Sequence, residues 1–544
     1  MASSGTIHPC LLVSEILVNI FAEVNERDED EAAAARTLAA LCRTCRAFRE
    51  PAMKVLWAHL GTLIPLIRCI PCVKVTKRKS RSPDDLPTLV LERQLSSADW
   101  EIFLSHSRLV LTCGYYVSRR DKHPVLNSPS HDIGVDILRA LSSPPPSSVV
   151  FPHLRKIRWT DSREDSIRFF RLVLTPALEF LDMSSISDTV YSVVIPSISD
   201  TCPSLRIMHL PKWSFIHLPD MFNKWPKLAY VTSGPLADAT ILSLGRLPHL
   251  ASIDICLHKL PDIRSLVEEP GFSTLRRLVL RAYNISFVTA FMRQVQSIHL
   301  REVKCYLQHG STAVGIHDWI TILLDRCMPR RLEILEIEDY GEAGAGFPDQ
   351  FMLTPDTLRL LTRFRGLTTL DLASTCTYSL DDTALTQLAI CWPSMQNIAL
   401  GNHWGWRQQS EVTLKGLLSL VRHCPQLESI GLVMNAITAD ISSQRPGGGV
   451  RRPKVTSLSV GDSRVGDPLA VAAFLSDIFP HLLSVDAFNH VGGMRRPIPD
   501  AKEHEGRWKE VERLLPAFSK VRAQEHPPVG PRRKAFFLEE LYLT

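Results

Sequence analysis

The chain is 544 residues long, and its 62 Lys and Arg against 57 Asp and Glu leave a formal net charge of +5. Hydrophobic residues make up 45% and charged residues 22%, which excludes a mostly disordered chain. So small a charge excess, spread over many segments, also argues against a strong nucleic-acid binder. The 13 cysteines form no dense framework and read as the reduced thiols of an intracellular protein. Residues 10–24 are apolar but contain Glu15 and Asn19 and follow no basic stretch, so no signal peptide is expected. No uninterrupted apolar run reaches the roughly 18 residues of a membrane span. The sequon at Asn284-Ile285-Ser286 is therefore expected to be idle.

From the N-terminus, residues 11–24 place Leu12, Ile16 and Ile20, and Leu17, Phe21 and Val24, at helical spacing. An acidic break over 25–31 precedes an alanine-rich helix whose stripe is Leu38, Leu41, Cys42, Cys45 and Phe48. Pro51 suits the first turn of a third helix carrying Val55, Leu56 and Trp57. Three short helices bury little surface, and such a bundle leans on a partner or on the domain that follows.

Taken together, Leu12-x-x-Glu15-Ile16-Leu17-x-x-Ile20-Phe21, Leu38-x-x-Leu41-Cys42-Arg43-x-x-x-x-Phe48 and Leu56-Trp57 resemble the F-box motif. Downstream, Leu60-x-x-Leu63-Ile64-Pro65-Leu66-Ile67-x-x-Ile70-Pro71 looks like the extension found in the large fungal F-box family. The resemblance spans residues 8–71, with Val13 and Ser14 where the family carries a proline before the glutamate. It implies a head that docks a Skp-type linker subunit of a cullin–RING ubiquitin ligase. Leu12, Ile16, Leu17, Ile20, Phe21, Leu41, Cys42 and Trp57 would form or support that docking surface.

Residues 72–150 read as a connecting region with room for one or two degenerate repeats. They hold the basic run 74–81, a solvated linker or a nuclear-import signal, and the proline-serine segment 142–148. Cys42-x-x-Cys45 and Cys69-x-x-Cys72 mimic the spacing of a four-thiolate zinc site. The first pair lies in an apolar helix stripe, where cysteine behaves as a small hydrophobe, so no metal is expected.

From Phe151 onward one phrase recurs, P-x-L-x-x-Φ-x-Φ with Φ apolar, first as Pro152-His153-Leu154-Arg155-Lys156-Ile157-Arg158-Trp159. It returns on Leu178, Leu205, Leu228, Leu250, Leu275, Val295, Leu332, Leu367, Met395, Leu427, Val455 and Leu482. Most intervals fall in the twenties, the leucine-rich-repeat signature. Each phrase predicts a short strand whose alternate residues enter the stack. Apolar-periodic stretches at 383–390 and 414–421 predict outer helices, and Asp381-Asp382 suits a helix N-terminus. The expected fold is α/β: a small helical F-box-like head (8–71), the connecting region (72–150), an irregular leucine-rich-repeat solenoid with strands inside and helices outside (151–490), and a C-terminal cap or tail (491–544).

The residue between the two last apolar positions of each phrase should face outward on the inner surface. These are Arg158, Asp182, His209, Thr232, Asp254, Val279, His299, Glu336, Asp371, Ala399, Gly431, Ser459 and Asp486. Their acidic excess suggests a groove for a basic or donor-rich ligand segment, with Asp182, His209, Asp254, His299, Glu336 and Asp371 as contacts. Trp404 and Trp406, on the loop Gly401-Asn402-His403-Trp404-Gly405-Trp406, are either interface anchors or tucked over the solenoid edge. Gly461-Asp462-Ser463-Arg464 resembles the nucleophile block of a lipase-like hydrolase family, but no late Asp-x-x-His block supplies a base. No catalytic residue, cofactor or metal is expected, and no nucleic acid or membrane partner.

Two functions fit. One is a substrate-recruiting adaptor of an SCF-type ligase, cytoplasmic and/or nuclear, with a Skp-type linker, the cullin core and a protein substrate as partners. The other is a plain interaction scaffold whose head merely caps the solenoid.

Overall fold

The computed structural model describes residues 13–27, 31–76, 86–114, 132–212, 221–257, 271–340, 348–406, 408–437, 447–488 and 500–525. They fall in two compact units, 1–256 and 257–544.

The first unit begins with three helices, α1 (Ser14–Arg27), α2 (Glu31–Thr44) and α3 (Arg46–Ala58). Leu17, Phe21, Leu38, Ala52 and Val55 make their shared core, edged by Val18, Leu41, Cys42, Phe48 and Leu56. The rings of Phe21 and Phe48 meet edge to face at 5.3 Å. The boundary between α2 and α3 differs from the sequence reading. Extended backbone at Cys45 (φ −156°, ψ 167°) breaks the helix there, so Phe48 belongs to α3 and Pro51 lies inside that helix rather than in its first turn.

Helix α3 runs directly into β1 (His59–Leu60), the start of a parallel ladder. Its further strands are β2 (Thr112–Cys113), β3 (Lys156–Arg158), β4 (Phe180–Asp182), β5 (Ile207–His209), β6 (Tyr230–Pro235) and β7 (Ser252–Leu257), each pairing with the one before. The ladder therefore starts well before Phe151, and the connecting region supplies β2. Between the strands lie α4 (Ile64–Arg68), α5 (Ser97–Ser107), α6 (Val135–Leu141), α7 (Ser166–Val173), α8 (Asp188–Thr201) and α9 (Asp238–Gly245). A side sheet joins Val73–Thr76, Thr88–Leu91 and Asp132–Ile133. Most of the basic run lies outside the described residues.

The second unit repeats the scheme. Its ladder is β8 (Arg277–Ala282), β9 (Glu302–Leu307), β10 (Ile334–Asp339), β11 (Thr369–Ala373), β12 (Asn397–Leu400), β13 (Ser429–Leu432), β14 (Ser457–Gly461) and β15 (Ser484–Ala487), all parallel. Its helices are α10 (Ile285–Met292), α11 (Ala313–Arg326), α12 (Pro355–Leu361), α13 (Asp382–Ile390), α14 (Leu414–His423), α15 (Pro468–Ile478) and α16 (Ala501–Glu525). Local chemistry starts several of them: Asn284, Thr312, Asp381 and Thr413 each accept a first-turn amide. Asn284 of the sequon is thus a helix cap.

The repeat anchors Leu154, Leu178, Leu205, Leu228, Leu250, Leu275, Leu332, Leu367, Met395 and Leu427 are fully buried. Each such side chain contributes about 1.5–3 kcal/mol by leaving water, a gain no single repeat realises without its neighbours. The fold is α/β, a leucine-rich-repeat solenoid behind a three-helix head. One phrase shifts: the strand expected on Val295 is instead Glu302–Leu307, anchored by Leu300, with Val303 and Cys305 in register with Leu278 and Leu280. Within the C-terminal segment, the described helix α16 forms a cap. Trp508, Val511 and Leu515 of α16 are buried, and the Trp508 indole N–H donates to the Ser463 carbonyl at 2.9 Å. The apolar end at 536–538 lies outside the described residues.

Candidate functional site

Helix α1 sorts its apolar residues onto two faces. Leu17 and Phe21 are 1% and 4% exposed in the head's own core, whereas Val13, Ile16 and Ile20 are 41%, 36% and 42% exposed on the other face. Ile16 and Ile20 are four residues apart and Val13 lies one turn earlier, so the three line one stripe. Of the residues expected to form or support a docking surface, Ile16 and Ile20 are exposed while Leu17 and Phe21 lie in the core beneath them. Leu41 and Cys42 sit half-buried at the core's edge, and burial pushes the Cys42 thiol up. Trp57 is half-buried with its ring 4.6 Å from His106 of α5, where it joins the head to the solenoid. Leu12 lies outside the described residues. Val13, which stands where the F-box family carries a proline, shares this exposed side at helical spacing from Ile16 and Ile20.

The inner face of the first unit carries Arg158, Asp182, His209, Thr232 and Asp254 in one register row, as the repeat phrase predicts. Its carboxylates lie beside cations. Arg158 Nε is 3.3 Å from Asp182 Oδ2, both side chains mostly buried, and Lys212 Nζ is 3.7 Å from Asp254 Oδ2. Burial pulls the His209 imidazole down, against the pull of Asp182. Asp182 and Asp254 thus each have a cation beside them, with His209 lying between them in the row.

In the second unit the row runs Val279, Lys304, Glu336, Asp371, Ala399, Gly431, Ser459 and Asp486. Lys304 takes the place expected of His299, which precedes β9 and instead lies 3.2 Å from Arg331. Lys304 Nζ is 2.9 Å from Glu336 Oε2 and 3.6 Å from Glu302 Oε1, and Glu302 also holds Arg277 at 3.0 Å. Burial, then the neighbouring Glu336 and Glu338, push the Asp371 carboxyl up to about 7. Its Oδ1 is buried without a hydrogen-bond partner among the described residues.

Both tryptophans of the loop after β12 turn inward. Trp406 is fully buried, stacked on Tyr378 at 5.1 Å, with its indole N–H on the Leu400 carbonyl at 2.9 Å and its amide on Asp462 at 2.8 Å. Trp404 is half-buried and donates to the Asp339 carbonyl at 2.9 Å, so it bridges from the end of β12 to the end of β10. Asn402 reaches Ser459 at 2.9 Å in the opposite direction. The loop is a strap across strand ends, and Trp406 offers nothing to a ligand. Gly401 allows it: φ is +64°, and a Cβ there would lie 2.4 Å from the Tyr378 ring.

Ser463 of the hydrolase-like block is buried, and its hydroxyl accepts the Met434 amide at 2.7 Å, a turn-holding role. Among the described residues no group of three or more His, Cys, Asp or Glu is placed to hold a metal ion, and no helix is long and apolar enough to cross a membrane.

No family model matches the sequence, and no curated protein does. Among solved structures, the complex of Rad7 and Elc1 in yeast aligns at TM-score 0.32 and 11% identity, over 68% of this chain and 84% of that one. An internalin (inlF) from Listeria monocytogenes aligns at 0.33 and 11%, over 85% and 96%. The PEPR1–AtPEP1 structure aligns at 0.29 and 13%, over 61% of this chain and 45% of that one. Overlap this loose carries no argument about function.

Proposed function

We propose that this chain is a substrate-recruiting adaptor of a cullin–RING ubiquitin ligase, its head docking a Skp-type linker and its repeats holding a protein substrate. The observation that carries the reading is the stripe of Ile16 and Ile20 on α1 and Val13 just before it, left open by a head whose own core is made from Leu17, Phe21, Leu38, Ala52 and Val55. Soluble proteins bury such stripes against a partner. The first stretch of the motif that resembles an F-box, Glu15-Ile16-Leu17-x-x-Ile20-Phe21, falls on this same helix. On this reading the chain performs no chemistry itself; it raises the local concentration of substrate at the ligase, in cytoplasm or nucleus. The repeats support it by offering long rows of outward strand residues, the usual binding surface of a solenoid.

A second reading, a scaffold whose head caps the ladder, is favoured by the run of α3 into β1 and by the Leu111 amide on the Ala58 carbonyl at 2.8 Å. Co-purification of the full-length chain with a Skp-type linker separates the two. Stoichiometric capture, lost in an Ile16→Asp, Ile20→Asp double variant that still folds, supports the adaptor. Absence of capture by the folded parent leaves the scaffold.

A further inference from the structure

The inner face of the second unit assembles more carboxylates than it has cations to match. Glu336 of β10 and Asp371 of β11 are direct register partners, and Glu338 is paired one step on, with Ala373. Adjacent parallel strands lie about 4.8 Å apart, so two carboxylates in register face like-charge repulsion unless a cation or a proton intervenes. From β9, Lys304 and Tyr306 face this group; the Lys304 ammonium is already drawn to Glu336 at 2.9 Å and Glu302 at 3.6 Å. From β12 the register partner is Ala399, which brings no charge. Beyond β11, the buried Tyr378 hydroxyl donates to the Leu372 carbonyl at 2.7 Å. Asp339, at the end of β10, is taken up by hydrogen bonds from Ser311 and Thr375. The strap adds His403, whose ring packs edge-on against Trp404 at 5.0 Å. Trp404 crosses the end of β11 on its way to the Asp339 carbonyl. Asp371 Oδ1 is buried without a hydrogen-bond partner among the described residues.

We propose that Asp371 is the proton-carrying member of this carboxylate group, and that its ionisation switches the charge of the inner face of the second unit. With the proton on, Lys304 balances Glu336 and Asp371 is neutral. With the proton off, a second carboxylate charge stands beside Glu336 with no cation of its own, and the face gains affinity for a cationic segment. Burial of the Asp371 carboxyl and then the two glutamates raise its pKa and outweigh the Ala373 backbone hydrogen bond and the Lys304 charge, which act the other way. The sign for folding follows. A carboxyl whose folded pKa is raised favours the fold most at acid pH, and that contribution is lost as pH rises from the unfolded value, about 4, through the folded one.

The test is a difference potentiometric titration of the full-length folded chain against Asp371→Asn, in which the histidines cancel. The parent should release about one more proton than the variant between roughly pH 5.5 and 8.5. In Glu336→Gln the midpoint of that release should fall by about half a unit or more, because one source of repulsion is gone. Superimposable curves for parent and Asp371→Asn, both folded by circular dichroism, overturn the proposal. Should Asp371→Asn fail to fold, the comparison of parent with Glu336→Gln decides alone: a shifted release supports the proposal, an unshifted one overturns it.

Discussion

Four hydrogen bonds from two turns converge on the fully buried Asp339: the amide and hydroxyl of Ser311, and the amide and hydroxyl of Thr375. They tie the turns after β9 and β11 to the end of β10, while burial pushes the carboxyl up. Asp339→Ala would strand these donors and should cost about 2–4 kcal/mol, read from the denaturant midpoint, with Asp339→Asn losing less. Asp99 works in the opposite sense at the N-terminus of α5. The Arg93 guanidinium and then the Ser96 hydroxyl hold its carboxyl well below the usual range, and Asp99 closes a capping box with Ser96. A depressed carboxyl contributes stability above its unfolded value, about 3.9, and loses it as pH falls below. Asp99→Asn should therefore cost about 1–2 kcal/mol at pH 7, and thermal melts should show the gap closing toward acid pH. The half-exposed Arg93 adds little to that sum, since solvent screens the pair. Neither role was legible in the chain, because a buried polar residue looks like any polar residue until its donors are in place.

At the scale of the element, helical spacing found α1 but not which stripe it buries. Leu17 with Phe21 and Ile16 with Ile20 are equally good i, i+4 pairs, and only the positions of α2 and α3 choose between them. Leu17→Ala should destabilise the head by about 2–4 kcal/mol in a denaturant melt, whereas Ile16→Asp should cost less than about 1 kcal/mol. The displaced strand has a similar cause. Val295-x-x-Ile298-x-Leu300 and Leu300-x-x-Val303-x-Cys305 both satisfy the repeat phrase, and Leu300 serves as the end of one or the anchor of the other. Register with Leu278 and Leu335 selects the second, and evens the intervals from 20 and 37 residues to 25 and 32. The strap was half-legible: glycines marked a loop, but not that Asn402 lies where a Cβ on Gly431 would stand, 2.5 Å from its amide carbon. Gly431→Ala should push the strap off the strands at about 1–3 kcal/mol, with a shift in tryptophan emission, absent from the Trp404→Phe background, as the local readout.

For the molecule as a whole, the repeat period was the most legible feature, because the same burial constraint is imposed once per turn of the solenoid. The solenoid's ends were the least legible, since a terminal repeat need not repeat. The first unit's ladder begins at β1, where the stretch that resembles the head's extension starts, and the second unit's ends under α16, whose Trp508, Val511 and Leu515 cover the last strand and helix. A buried indole of this kind is worth about 3–5 kcal/mol, so Trp508→Ala should lower the unfolding transition of the second unit's last repeats, visible as early loss of amide protection there. The central claim, that the open stripe of α1 is a docking surface, is tested most directly by calorimetric titration of a Skp-type linker into the full-length chain and into the Ile16→Asp, Ile20→Asp variant. The account predicts saturable binding by the parent and at least about 100-fold weaker binding by the variant, roughly 2.7 kcal/mol, with the melting temperature nearly unchanged. Equal affinity for parent and variant, or no heat with the folded parent, would contradict it.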